Sequence, residues 1–123
     1  MIQLTPSEQF LNDLESTHEW LYLRAMEDGK NPNGLLENFK SEFLKIISLL
    51  TSNPFIYSAY GSNNPTRRAM LFHGIYIIEY LLIPTHSKSK ESTTEIILTS
   101  LIPSKSGRYK GAYIKNDTLQ IEF

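Results

Sequence analysis

The chain has 123 residues, of which 41% are hydrophobic and 20% charged, a composition that is typical of one globular domain and excludes a disordered chain. The absence of cysteine excludes disulfides and thiolate metal sites. The formal net charge is −1, whereas proteins that bind nucleic acid over their whole surface are usually strongly basic.

The first segment predicts a short strand and then a helix. Ile2–Leu4 is an apolar start that favours a strand. Thr5 then suits a helix cap and Pro6 the first helical position. Apolar residues recur at helical spacing as far as Ala25, and Gly29 suits a left-handed helix end. We therefore expect one amphipathic helix between residues 5 and 29.

A second helix is predicted after a turn over residues 30–34, which is rich in Asn, Pro and Gly. From Leu36 to Leu50 the apolar residues form a single stripe, and the polar residues occupy the opposite face. Asn53 and Pro54 end this helix. Two amphipathic helices joined by a short loop form an antiparallel hairpin, and their stripes need a further apolar surface to cover them.

The second half of the chain predicts the strands that provide this surface. After a polar loop over residues 55–66, Arg67–Phe72 favours a strand, and residues 73 and 74 favour a tight connection. Ile75–Ile83 is apolar on both alternating faces, so we expect a central strand that is covered on both sides. Glu95–Ile102 favours another strand.

The predicted order is therefore β-α-α-β-β-β, an α+β fold in which a helical hairpin packs on a small, mostly antiparallel sheet. The polar, basic tail contains a further hairpin pattern, with 112–115 and 118–123 flanking a central Asn-Asp pair. We expect residues 1–109 to form the domain, with 110–123 as a C-terminal extension that belongs to the same domain or forms a tail.

Charge is distributed unevenly along the chain. Acidic residues concentrate in the first half and basic residues after residue 66, so one end of the molecule can be electropositive. We find no secretory signal pattern, and the longest apolar stretch is too short to span a membrane, so we expect a cytoplasmic protein. Neither a metal-ligand spacing nor a nucleotide-binding signature is present, and we expect no metal and no cofactor.

The second helix and the strands after it follow an ordered set of motifs. The helix ends in Leu-Leu-x-x-Asn-Pro over residues 49–54, and a basic strand start and a strand–Gly–strand meander with a tyrosine follow over 67–80. A last strand over 96–102 precedes Lys105 and Arg108. This set resembles the RelE/ParE family of bacterial toxins across residues 1–109. The resemblance implies the toxin of a toxin–antitoxin pair, which a cognate antitoxin protein holds inactive in an oligomeric complex.

The resemblance leaves the target open. One branch of the family cuts messenger RNA in the ribosomal decoding site, and the other inhibits DNA gyrase without established catalytic residues. In the RNA-cutting branch an arginine usually follows the strand aromatic that is Tyr76 here, and that position is Ile77. This difference and the pI of about 6.3 favour gyrase inhibition over endoribonuclease activity. A third interpretation is a non-toxic protein-binding module of the same fold.

Five residues are predicted to contact the target, and none is assigned a catalytic role. Arg67 and Arg68 stand at a strand start, and Lys105, Arg108 and Tyr109 stand where the RNA-cutting branch often places terminal basic and aromatic groups. Each group also has a structural interpretation, since arginines at a strand start are usually solvated and basic residues near a chain end favour solubility.

Overall fold

The computed structural model describes residues 2–104 except 58, 62, 63 and 73. Within these residues the chain forms two helices and five strands, in the order β1 (Gln3–Pro6), α1 (Glu8–Glu27), α2 (Pro32–Ser52), β2 (Ala59–Gly61), β3 (Asn64–Leu71), β4 (Tyr76–Ile83) and β5 (Glu95–Pro103). The predicted order is confirmed, with β2 as an additional short strand. The predicted hairpin within 112–123 and the extension from 110 lie outside the described residues.

α1 begins later than the sequence predicts. Ser7, and not Thr5, is the cap, and its hydroxyl accepts a hydrogen bond from the amide of Phe10 at 3.1 Å. Pro6 belongs to β1, because that strand pairs with β5 as far as Leu98. The amide of Ser7 also donates to the carbonyl of Leu98 at 2.9 Å. Strand pairing therefore keeps the chain extended until it reaches Ser7.

α2 begins inside the predicted turn. The side chain of Asn31 accepts a hydrogen bond from the amide of Asn33 at 3.1 Å, and Pro32 occupies the start of the helix. Proline costs no hydrogen bond at that position, so the Asn-Pro pair starts the helix. The predicted boundaries at Gly29, whose φ is 70°, and at Asn53 are confirmed. Neither described helix has the length and apolar character to cross a bilayer.

The strands form one five-stranded sheet in the order β1-β5-β4-β3-β2. β1 pairs with β5 in parallel, and the other neighbouring strands pair antiparallel. The sheet is therefore mostly antiparallel, and β4 is its central strand, as predicted. A parallel partner for the first strand requires a crossover connection, and the helical hairpin starts that connection immediately after β1.

Both helices pack on one side of the sheet, which we call the covered face. Tyr76, Ile78, Tyr80 and Leu82 of β4 point to this side and are at most 5% exposed, because they join one core with the helices. The helical members of this core are Phe10, Leu21, Phe39 and Leu50, with Phe43 partly buried against them. On the opposite side, which we call the open face, Glu79, Leu81 and Ile83 are partly exposed. The expected cover on both sides is therefore wrong for the described residues, because a two-helix hairpin covers one side.

Candidate functional site on the open face

Two rows of side chains cross the open face in register. Each row takes one residue from β3, one from β4 and one from β5, because these strands pair directly with one another. The apolar row consists of Met70, Ile77 and Ile102, and the polar row consists of Arg68, Glu79 and Ser100. Side chains at directly opposed positions have Cβ atoms about 4.5–5.5 Å apart, so each row is a continuous surface.

The polar row places a guanidinium opposite a carboxylate. Arg68 is exposed, and Glu79 lies directly across from it on β4. The hydroxyl of Ser100 donates to Oε1 of Glu79 at 2.5 Å and thereby orients the carboxylate. This arrangement can bind a partner group that has both a donor and an acceptor. It can also hold an anion beside Arg68, with Glu79 as a proton acceptor.

The apolar row differs in chemistry from its neighbour. Met70 is 53% exposed, whereas Ile77 is 8% exposed, because Ile77 is flanked by a row member on each side. Further along the face, Leu81 and Ile97 are opposed and partly exposed. Apolar side chains exposed together are characteristic of protein-binding surfaces. The row offers no charge at Ile77, where the resemblance leads one to look for an arginine.

The structure separates the two predicted arginines. Arg68 lies on the open face, whereas Arg67 points to the covered face, since neighbouring residues in a strand alternate. The guanidinium of Arg67 donates to the carbonyl of Tyr57 and lies 4.8 Å from the centre of the Phe55 ring. Arg67 therefore anchors the segment that follows α2. The other three predicted contact residues, Lys105, Arg108 and Tyr109, lie outside the described residues.

Tyr80 lies opposite Arg67 and contacts the same segment after α2. Burial raises the pKa of Tyr80 to about 12, and the neighbouring positive charge of Arg67 opposes this shift. The hydroxyl of Tyr80 donates to the carbonyl of Pro54 at 3.3 Å. Tyr80 and Arg67 thus hold the same loop, which supports a structural role for both.

Sequence reasoning did not select Glu79 or Ser100 as site residues. Glu79 did have a signal, since it is the one charged residue in the apolar stretch Ile75–Ile83. A carboxylate in the middle of a central strand is unfavourable unless it faces solvent or a polar partner. Ser100 had no comparable signal. Its position beside Glu79 depends on the pairing register, which shifts between Glu79 and Tyr80.

A cleft of about 350 Å³ lies beside α1, and Asp13, Trp20 and Tyr76 are among its lining residues. Asp13 is the charged group in that lining, but both of its oxygens are engaged. Oδ2 accepts from the amide of Leu101 at 2.9 Å, and Oδ1 accepts from the side chain of Gln9 at 2.7 Å. Asp13 therefore provides a hydrogen-bond acceptor for a backbone amide on the edge of β5. Among the described residues, no three side chains form a group that could hold a metal ion.

A search with models of known protein families gives no match for this chain, and a search of curated proteins gives none either. Function is therefore inferred from the chemistry of the open face and from the order of the elements.

Proposed function

We propose that the chain is a growth-inhibiting toxin of the RelE/ParE type that binds DNA gyrase through the open face. The observation that carries this proposal is the apolar row beside the polar row. An exposed Met70 next to Arg68 has the chemistry of a protein interface, in which methionine and arginine are enriched. The confirmed order of elements agrees with the order on which the resemblance rests.

The open face is poorly suited to cleaving RNA. Cleavage needs cations against the phosphate and groups that transfer protons. Among the described side chains of the apolar and polar rows, Arg68 is the basic one. Loss of a preorganised donor of the kind that an arginine at position 77 would provide typically costs about 2.7–4 kcal/mol of transition-state stabilisation, or a rate factor of roughly 10²–10³. Binding to a protein requires only a complementary surface.

The same proposal implies a cognate antitoxin and a cytoplasmic location. The two edges of the sheet support antitoxin binding, since β1 and β2 each have a partner strand on one side only among the described residues, and an unpaired edge accepts an added strand. Co-expression with each neighbouring small protein, followed by affinity purification, tests this partner. If neither neighbour copurifies, the paired-toxin interpretation loses its main support.

The target is tested by induced expression and by two assays with purified protein. We expect growth arrest with filamentation and a DNA-damage response, inhibition of gyrase supercoiling, and no cleavage of the A-site codon on programmed ribosomes. Met70→Glu should abolish inhibition, because it puts a charge in the apolar row. Leu44→Glu is the matched control, since Leu44 lies on α2 and is also 53% exposed. Equal loss in both variants would contradict the assignment of the open face.

A second function, ribosome-dependent cleavage of messenger RNA, is favoured by one observation. Glu79 is oriented by Ser100 and lies opposite Arg68, which together provide a proton acceptor and a phosphate contact. Codon-specific cleavage that is lost in Glu79→Gln, with an unchanged melting temperature, would establish this function and refute gyrase binding. Harmless expression with no effect in either assay would favour the non-toxic binding module.

A further inference from the structure

α1 carries a second apolar surface on its outward side, which is turned away from the sheet. Among the described residues, half of the eight exposed large hydrophobic side chains lie on this helix. They are Leu11, Tyr22, Leu23 and Met26, with exposed fractions of 50%, 42%, 57% and 56%. Residues 11 and 22 are about three helical turns apart, and residues 22 and 26 are about one turn apart. The three side chains therefore lie on one stripe of the helix. We call this side the outward face of α1.

Carboxylates lie between these apolar side chains. Glu8, Glu15 and Glu19 are exposed, and their spacing puts them on the outward face. Arg24 is the one lysine or arginine of α1, and its side chain is 20% exposed. Its Nε lies 3.6 Å from Asp28, and its guanidinium lies 5.8 Å from the centre of the Trp20 ring. The outward face is therefore apolar and acidic, without a lysine or arginine of its own.

α2 lacks this combination, although it belongs to the same hairpin. Its charged residues are of both signs, namely Glu37, Lys40, Glu42 and Lys45. Lys45 lies 3.8 Å from Glu42 on the next turn. The exposed charged residues of a globular protein's helix are commonly of both signs, as they are on α2. The negative charge on the outward face of α1 therefore favours a positively charged partner.

We propose that the outward face of α1 is the docking surface for a basic amphipathic helix of a partner protein. Apolar residues on such a helix would cover Leu11, Tyr22 and Met26, and its lysines or arginines would lie against Glu15 and Glu19. The proposal goes beyond target binding, because the outward face and the open face lie on opposite sides of the molecule. Both surfaces can be occupied at once.

The full-length protein is tested with a peptide of about 18 residues, which is five helical turns, with Leu and Lys at amphipathic spacing. Trp20 is the only tryptophan of the chain and lies on α1, so its fluorescence reports binding. We expect the Leu-Lys peptide to bind and a Leu-Glu peptide of the same pattern not to bind. Failure of the Leu-Lys peptide to bind the unaltered chain would overturn the proposal.

Variants separate a specific surface from attraction to net charge. The double change Glu15→Lys and Glu19→Lys should weaken peptide binding by at least about tenfold, which corresponds to about 1.4 kcal/mol. The control is Glu37→Lys with Glu42→Lys on α2, which changes the net charge equally and should leave affinity nearly unchanged. Equal weakening by both pairs would mean that net charge alone attracts the peptide, and the proposal would fail.

A separate pair of variants tests the apolar contribution to peptide binding. Tyr22→Ser should weaken binding by about fivefold or more, because it removes apolar area from the interface. Leu49→Ser on α2 removes a side chain of similar exposure, 43% against 42%, and should have little effect. Equal effects would overturn the assignment to α1. Met70→Glu on the open face should leave peptide binding intact, so this proposal and the proposed toxin function can fail separately.

Discussion

The covered and open faces of the sheet are built from the same strands, yet they differ in almost every property. On the covered face, Ile78 and Tyr80 are fully buried beneath the helices, and Arg67 is bound to a loop. On the open face, the neighbouring positions expose Met70 and Arg68. Adjacent residues in a strand therefore have opposite roles, and a pair such as the two arginines cannot be assigned one function.

The largest expected effect is a difference in stability between substitutions on the two faces of β4. Ile78→Ala should reduce the free energy of unfolding by about 2–5 kcal/mol, because Ile78 is 0% exposed and the change leaves a cavity. Leu81→Ala, in the same strand but on the open face, should cost about 1 kcal/mol, since Leu81 is partly exposed. Thermal melting distinguishes the two outcomes. Equal losses would contradict the assignment of one covered face.

The next prediction uses pH to probe the covered face. Because the pKa of Tyr80 is raised to about 12, the unfolded chain loses this phenol proton first as pH rises above 10.0. The stabilisation is therefore complete below pH 10 and declines towards pH 12, by about 1.4 kcal/mol per pH unit. Tyr80→Phe should remove this part of the slope in urea unfolding at pH 9, 10 and 11. Tyr22→Phe, at a position that is 42% exposed, should retain the full pH dependence.

Arg67 and Arg68 provide a sharper comparison of the faces. Arg67→Ala should reduce stability by about 1–3 kcal/mol, because it leaves the carbonyl of Tyr57 without its donor and removes the contact with the Phe55 ring. Arg68→Ala should change stability by less than about 0.5 kcal/mol and should weaken target inhibition. Unfolding in urea and gyrase assays on the same preparations give both readouts. Stability that is unchanged in Arg67→Ala would refute its anchoring role.

Much of the fold could be predicted from the sequence, because the helical stripes and the apolar stretch 75–83 are strong periodic signals. The three-residue β2 is too short to give such a signal. Local rules predict a start of α1 that is too early, because Thr5 and Pro6 suit a helix start and only the pairing of β1 with β5 decides between strand and helix. Long-range pairing therefore overrode a local preference.

The candidate site could be predicted only in part, and for the same reason. Arg68 was selected, but alternation alone did not tell which of the two arginines faces the core. The orientation of each arginine follows from the pairing register, which puts Arg67 opposite the buried Tyr80 and Arg68 opposite Glu79. The hydrogen bond from Ser100 to Glu79 depends on a further register shift between β4 and β5. A site made of one residue from each of three strands is set by pairing.

The smallest expected effect concerns the pair of opposed charges on the open face. A double-mutant cycle with Arg68→Ala and Glu79→Ala should give a coupling of about 0.2–1 kcal/mol in the free energy of unfolding, the range for opposite charges across neighbouring strands. The coupling should fall as salt is raised, since Arg68 is exposed and screening acts on exposed charges. The control cycle uses Glu42 and Lys45, whose side chains lie 3.8 Å apart on the surface of α2. Coupling near zero between Arg68 and Glu79, with normal coupling in the control, would mean that the two side chains act separately. In that case Arg68 would serve the target alone, and the second function, which needs Glu79 beside it, would lose its basis.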